Sequence, residues 1–226
     1  MAIELYKSIP GPVRGVLFDM DGLVLDTEKL YARFWQEACR FYGFPMTRGQ
    51  ALKMRAANSN LGRANLLEFF GPGADYTAIR EKRIELMDAF IRENGVETKP
   101  GIFHLMDVLE ELGIPAAITS SSPRDRIEAH LRSVNLYHRF AAICSGYDVP
   151  WGKPEPDIYL HGAASLGLKP QECLALEDAP TGILSAYRAG CVTVMIPDQD
   201  QPGEDTRRLL WAKCDSLADV TELLHQ

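Results

Sequence analysis

Two kinds of apolar pattern alternate along the chain. Short continuous apolar runs at Val13–Phe18, Ile114–Thr119, Cys173–Leu176 and Cys191–Ile196 are bounded by turn-forming residues and predict buried strands. Phe140–Cys144 is a further, weaker candidate. Between these runs the apolar residues recur at helical spacing. Ile102, Leu105, Met106, Leu109 and Leu112 fall on one face, and Gly113 ends the pattern. Helices are also predicted over Pro123–Val134, opened by a serine run and a proline, and over Glu155–Leu166. Strand and helix in alternation make an α/β protein whose parallel sheet is covered on both faces. Ligands of such sheets sit at the carboxyl ends of the strands.

One stretch breaks the alternation. From about Glu28 to Gly95 the pattern is helical throughout, with no convincing strand. Leu30, Phe34, Ala38 and Phe41 make one apolar stripe, and DYTAIREKRIELMDAFIREN is a second long helix. The expected organisation is a core formed by residues 1–27 and 98–226, with residues 28–97 inserted as a helical domain. Candidate hinges lie at Asp26–Glu28 and Thr98–Gly101.

Composition narrows the class. With 46% hydrophobic and 24% charged residues, the chain is composed like an ordinary globular protein. Its formal net charge of −7 argues against a nucleic-acid partner, which would need a basic stripe. It also means that any phosphate site must carry its own local positive charge. The 5 cysteines show no CxxC spacing and suggest free thiols in a reducing, cytoplasmic setting. Neither a signal peptide nor a membrane-spanning run is apparent, so no membrane partner is expected.

The candidate chemistry follows the apolar runs. VLFDMDGLVLDTE places Asp19 and Asp21 at the end of a strand, on one side of it, with Gly22 permitting a sharp turn. Paired carboxylates repel and are relieved by a shared cation, for which Mg²⁺ is suited. Thr119, Ser120 and Ser121 follow the second run and can cradle an anion. Lys153 lies in the proline-rich turn WGKPEPD, and Glu177 and Asp178 follow CLAL directly. Singly, each has a plain structural reading. DxDG is a turn, Ser121 or Ser122 caps a helix, a lone lysine is solvated, and acids suit helix N-termini. Together they are the set that phosphoryl transfer through an aspartate requires: paired acids, hydroxyls, an ammonium and further acids. The histidines fall in none of these elements and read as structural or solvated, and Trp151 beside Lys153 reads as packing.

FDMDGLVLDTE, ITSSS, GKPEPDIY and LEDAPTGILSAYRAG resemble, in order, the motifs of the haloacid dehalogenase superfamily. The likeness is to its β-phosphoglucomutase and phosphoglycolate phosphatase branch and covers nearly the whole chain. It implies a Rossmann-like three-layer parallel-sheet core with a small all-helical cap domain inserted after the first strand. It implies a Mg²⁺-dependent phosphatase acting on a small phosphorylated metabolite; separately, the protein is expected to be a monomer or weak homodimer. By resemblance Asp19 is the nucleophile and Asp21 the acid and base. Thr119, the Ser120 backbone and Lys153 hold the phosphoryl group. Asp178 binds the metal with the Asp19 carboxylate and the Asp21 carbonyl, and Glu177 is either a water-mediated ligand or a residue that supports the ligands from behind. Arg55, Asn58 and Asn60 in the cap are candidate substrate contacts. Tyr31 stands where the mutases carry a histidine, which counts against the alternative, a sugar phosphomutase. A non-catalytic binding protein on the same fold is a further alternative, against which the intact acids and lysine speak.

Overall fold

The computed structural model describes residues 3–8, 10–55, 59–198 and 201–224. The chain divides into two compact units, residues 1–25 with 97–226, and residues 26–96.

The larger unit holds a 7-stranded sheet. Its strands are β1 (Ile3–Leu5), β2 (Gly15–Phe18), β3 (Ala116–Ser120), β4 (Ala142–Ser145), β5 (Cys173–Glu177), β6 (Val192–Met195) and β7 (Ala212–Cys214). They lie in the order β1-β7-β6-β5-β2-β3-β4. All pairings are parallel except that of β1 with β7, which is antiparallel. The apolar runs of the sequence are the parallel strands β2 to β6. The two edge-side strands β1 and β7 were not legible as runs, because each has only three residues. One correction follows: the helical insertion comes after the second strand of the chain, which is the first of the parallel set.

Every residue of β2, β3 and β5 is buried, as expected of strands covered on both faces. One layer of that cover is set by Leu17, Ala117, Cys144, Cys173 and Ala175 packing with Ile158, Tyr159, Ala163 and Ala186 of the flanking helices. The strand order reverses at β2. The chain leaves β2 for β3 and β4 on one side, then returns to β5 and β6 on the other. That switch opens a crevice at the carboxyl ends of β2 and its neighbours.

The smaller unit is helical in its described residues: α1 (Glu28–Phe41), α2 (Arg48–Arg55), α3 (Ser59–Phe70) and α4 (Tyr76–Asn94). Asp75 caps α4 by accepting hydrogen bonds from the Thr77 and Ala78 backbone N–H groups, which satisfies two donors of the first turn. Leu30, Phe34 and Ala38 of the expected stripe are buried, but Phe41 is 64% exposed at the end of α1. Trp35 and Cys39 take the core positions instead, which widens the buried face by one residue on each turn.

In the larger unit the remaining helices are α5 (Ile102–Glu111), α6 (Arg124–Ser133), α7 (Asp157–Ser165), α8 (Pro180–Ala189), α9 (Glu204–Leu209) and α10 (Thr221–Leu224). The capping role expected for Ser121 or Ser122 is not found: Pro123 occupies the N-cap of α6, with no side-chain cap bond. No described helix is long and apolar enough to cross a membrane.

Candidate active site

Asp19 follows β2 immediately, and its backbone N–H donates to Leu176 O of β5 at 3.0 Å, which carries the sheet one residue further. The chain then folds back on itself. Val24 and Leu25 N–H both donate to Met20 O, Gly22 N–H donates to Leu25 O, and Gly22 adopts a φ of 89°. This left-handed conformation is available to glycine at little cost and is strained for other residues. The turn brings Asp21 back beside Ser122, whose hydroxyl donates to Asp21 Oδ2 at 3.2 Å.

Lys153 lies between β4 and α7. Its Nζ donates to Asp19 Oδ1 and to Glu177 Oε1, each at 2.5 Å. Its loop is pinned by α8, where the Ser185 hydroxyl donates to Glu155 O and Arg188 Nη1 donates to Pro154 O. Glu177 ends β5 with 1% of its surface exposed, and its Oε1 also accepts the Tyr159 hydroxyl of α7 at 2.5 Å. Gly182 of α8 makes room for it: a Cβ there would lie 1.8 Å from Glu177 Oε1. Ligand atoms of Asp19, Glu177 and Asp178 all lie within 4.8 Å of one another.

Three buried acids stand together in this cluster, and the Lys153 ammonium bonds two of them, Asp19 and Glu177. Burial pushes the Asp19 carboxyl up to about 8; Lys153 opposes the rise, and the charges of Glu177 and Asp21 add to it. Burial works against the Lys153 ammonium, but Asp19 and Glu177 outweigh it and raise the group well above its ordinary value. Burial, then the charge of Glu177, raises the Tyr159 phenol well above its ordinary range and keeps it a donor. The crowding of three buried acids and their all-oxygen donor set fit a hard divalent cation.

Of the residues singled out by sequence, the structure gathers Asp19, Lys153, Glu177 and Asp178, and sets Asp21 at the same strand end. Thr119 is not brought to the cluster. It is fully buried, its hydroxyl donates to Phe18 O, and its methyl group points at Gly162 of α7, where a Cβ would come within 2.7 Å. Side chains alternate along a strand, so Thr119 faces the helix layer and Ser120 does not. Ser120 Oγ accepts the Ser122 backbone N–H at 3.1 Å, shaping the loop that leads into α6.

Glu177, expected either as a water-mediated ligand or as a residue behind the ligands, makes direct bonds to Lys153 and Tyr159. Trp151 does not pack: it is 68% exposed. Asn60 is exposed on α3, whereas Asn58 and His225 lie outside the described residues, as does the side chain of Arg55. All five thiols are buried and free. Burial pushes Cys39 and Cys214 up to about 12, which suits core filler rather than nucleophiles.

Tyr159 was overlooked in the sequence. The available signal was a tyrosine on the apolar face of a helix, since a buried phenol needs a partner for its hydroxyl.

The family model for haloacid dehalogenase-like hydrolases matches residues 16–196, a span that contains every residue of the cluster. The chain belongs to this family. Hexitol phosphatase A of Escherichia coli (strain K12) is 33% identical over 184 residues, covering 81% of this chain and 82% of that protein. The Drosophila melanogaster protein named "Probable pseudouridine-5'-phosphatase" is 31% identical over 198 residues, covering 84% of each. Among solved structures, a variant of CbbY from Rhodobacter sphaeroides in complex with xylulose-(1,5)bisphosphate is similar at a TM-score of 0.76 and 23% identity. It covers 92% of this chain and 96% of that one, and at that identity the likeness speaks for the fold. The family resemblance carried by the motifs and the α/β class read from the alternation of strands and helices are borne out, and the enzyme class, a phosphatase of this family, stands with the named relatives.

Proposed function

We propose that this haloacid dehalogenase-like hydrolase is a Mg²⁺-dependent phosphatase that removes phosphate from a small polyhydroxylated metabolite through an aspartyl-phosphate intermediate. The observation that carries the reading is the placement of Asp19 beside Lys153 Nζ at 2.5 Å, inside a buried group of acids at the carboxyl edge of a parallel sheet. A binding module has no use for a nucleophile, an ammonium and a cation site converging on one point.

In the first step an Asp19 oxygen attacks phosphorus, forming the acyl phosphate as the bond to the substrate oxygen breaks. Asp21 donates the proton that the leaving oxygen needs. In the second step Asp21 takes a proton from water, which attacks phosphorus and breaks the bond to Asp19, releasing inorganic phosphate. Ser122, donating to Asp21 Oδ2, keeps that carboxyl oriented through both steps.

Lys153 screens the nucleophile and the phosphoryl oxygens from each other. Ser120 replaces Thr119 as the phosphoryl contact on β3, because the Thr119 hydroxyl is committed to Phe18 O. Asp19, Asp178 and Glu177 hold the cation, with the Asp21 carbonyl; when bound it supplies the positive charge that keeps Asp19 ionised and offsets charge on the phosphoryl group. Residues 26–96 act as the cap domain.

The substrate class is proposed from the relatives. A hexitol phosphate and pseudouridine 5'-phosphate are both phosphate monoesters on a carbon chain bearing hydroxyl groups. The test is phosphate release from a panel of hexitol, hexose and nucleoside monophosphates, with Mg²⁺ and with EDTA. Turnover of sugar or polyol phosphates that EDTA abolishes supports the reading. Absence of hydrolysis on every substrate, with interconversion of glucose phosphates after bisphosphate priming, replaces it with a mutase.

A further inference from the structure

Glu177 is the most enclosed acid of the cluster, and its surroundings are more elaborate than charge balance alone requires. Its Oε1 accepts two hydrogen bonds of 2.5 Å, one from Lys153 Nζ and one from the Tyr159 hydroxyl, while Gly182 leaves the space in which the carboxylate sits. The Tyr159 ring is fully buried among Leu17, Ala117, Ile158 and Ala163, a position that phenylalanine would fill equally well. A buried hydroxyl costs stability unless it is bonded, so its presence in an apolar layer needs a partner, and that partner is Glu177. The Lys153 ammonium also stands 5.2 Å from the centroid of the same ring. One side chain of α7 thus touches both the anion and the cation of the site.

We propose that Tyr159 is a positioning residue for the cation site: its hydroxyl holds the Glu177 carboxylate where it bridges to Lys153 and stays within reach of Asp19 and Asp178. Without that donor a buried carboxylate turns toward Lys153, its remaining partner of opposite charge, and withdraws from the cation. The inference rests on the proposed function, since it presupposes that a divalent cation occupies the acid cluster. Partners that orient metal ligands without touching the metal typically change affinity about 10–100-fold when removed.

The experiment is calorimetric titration of Mg²⁺ into the metal-free full chain, for wild type, Tyr159→Phe, Glu177→Gln and the double variant. Unfolding midpoints of the metal-free proteins are measured alongside. The expected result is an affinity at least about tenfold weaker in Tyr159→Phe. In the Glu177→Gln background the same change should have little further effect, because the tyrosine acts through that carboxylate. Binding within twofold of wild type in Tyr159→Phe overturns the inference, as does an equal loss in both backgrounds. Should Tyr159→Phe fail to fold, Gly182→Ala displaces the same carboxylate from α8. Weaker Mg²⁺ binding in it supports the inference, and unchanged binding overturns it. Failure of wild type to bind Mg²⁺ removes the proposed function itself, and the tyrosine's role with it; that outcome is read in wild type and so is distinct from the others.

Discussion

Around the carboxyl ends of β2, β3, β4 and β5, polar side chains are buried in numbers: Asp19, Thr119, Ser120, Ser122, Ser145, Glu177 and Asp178. In the helical unit, the buried polar residues among those described are Thr27 and Arg83, and Arg83 lies over the rings of Tyr31 and Trp35. Exposed large apolar groups do not separate the two: Phe41, Leu67 and Leu61 in the helical unit are matched by Trp151 and Tyr147 in the sheet unit. Burying polar groups is costly unless each finds a partner, so a region that buries many of them has been shaped around their chemistry. The helical unit follows amphipathic packing, in which the identity of an exposed residue matters little. The sheet unit therefore has little tolerance for change at its strand ends, and the helical unit little tolerance only in its core.

The sharpest way to break this contrast is Asp19→Asn. The asparagine is nearly isosteric but cannot form the acyl phosphate, so kcat is expected to fall by about 10⁴-fold or more while the fold persists. Activity within tenfold of wild type, with circular dichroism unchanged, would remove Asp19 from the reaction. A comparison inside the helical unit comes next. Phe34→Ala deletes a ring that is 2% exposed and should cost about 3–5 kcal/mol in urea denaturation. Phe41→Ala, seven residues along the same helix, should stay within about 0.5 kcal/mol of wild type. Equal losses would mean that Phe41 is covered in solution.

Smaller effects sharpen the picture of the sheet unit. Ser122→Ala removes the donor to Asp21 and should lower kcat about tenfold with KM little changed, the scale of one hydrogen bond to a charged group. A loss confined to KM would place Ser122 in binding instead. The mildest effect concerns pH. The Asp19 carboxyl has an ordinary value of 3.8 and is raised to about 8 in the folded chain. The folded state thus holds this proton more tightly than the unfolded one. Its stabilising contribution is complete below 3.8 and is lost as pH rises through about 8. The unfolding midpoint of the metal-free protein should decline across that window, and Asp19→Asn should flatten the decline. A wild-type profile already flat there would contradict it.

Much of this was legible in the sequence, for reasons that differ by residue. The runs ending in Phe18, Thr119 and Leu176 announced buried parallel strands, because a strand covered on both faces must be apolar throughout. The acids at 19 and 177–178 then stood out as charges placed directly after such runs. Other features left no local trace. Thr119 and Ser120 are adjacent in a run of similar residues, and only the pleat of β3, packed under Gly162, separates a core hydroxyl from a site hydroxyl. The serines before Pro123 carry a helix-capping signature, yet the Ser122 hydroxyl turns to Asp21, which is 101 positions away.

By itself, then, the sequence determined the alternation of strands and helices, the helical stretch between the sheet's first parallel strands, and the places where chemistry could lie. Those properties depend on the periods of neighbouring side chains, which are written locally. Only the tertiary structure decided that Lys153 reaches across 134 positions to Asp19, that Tyr159 and Gly182 enclose Glu177, and that Trp151 stays in solvent. Such contacts arise when elements distant in the chain pack side by side, and no periodicity within an element encodes which neighbour it will meet.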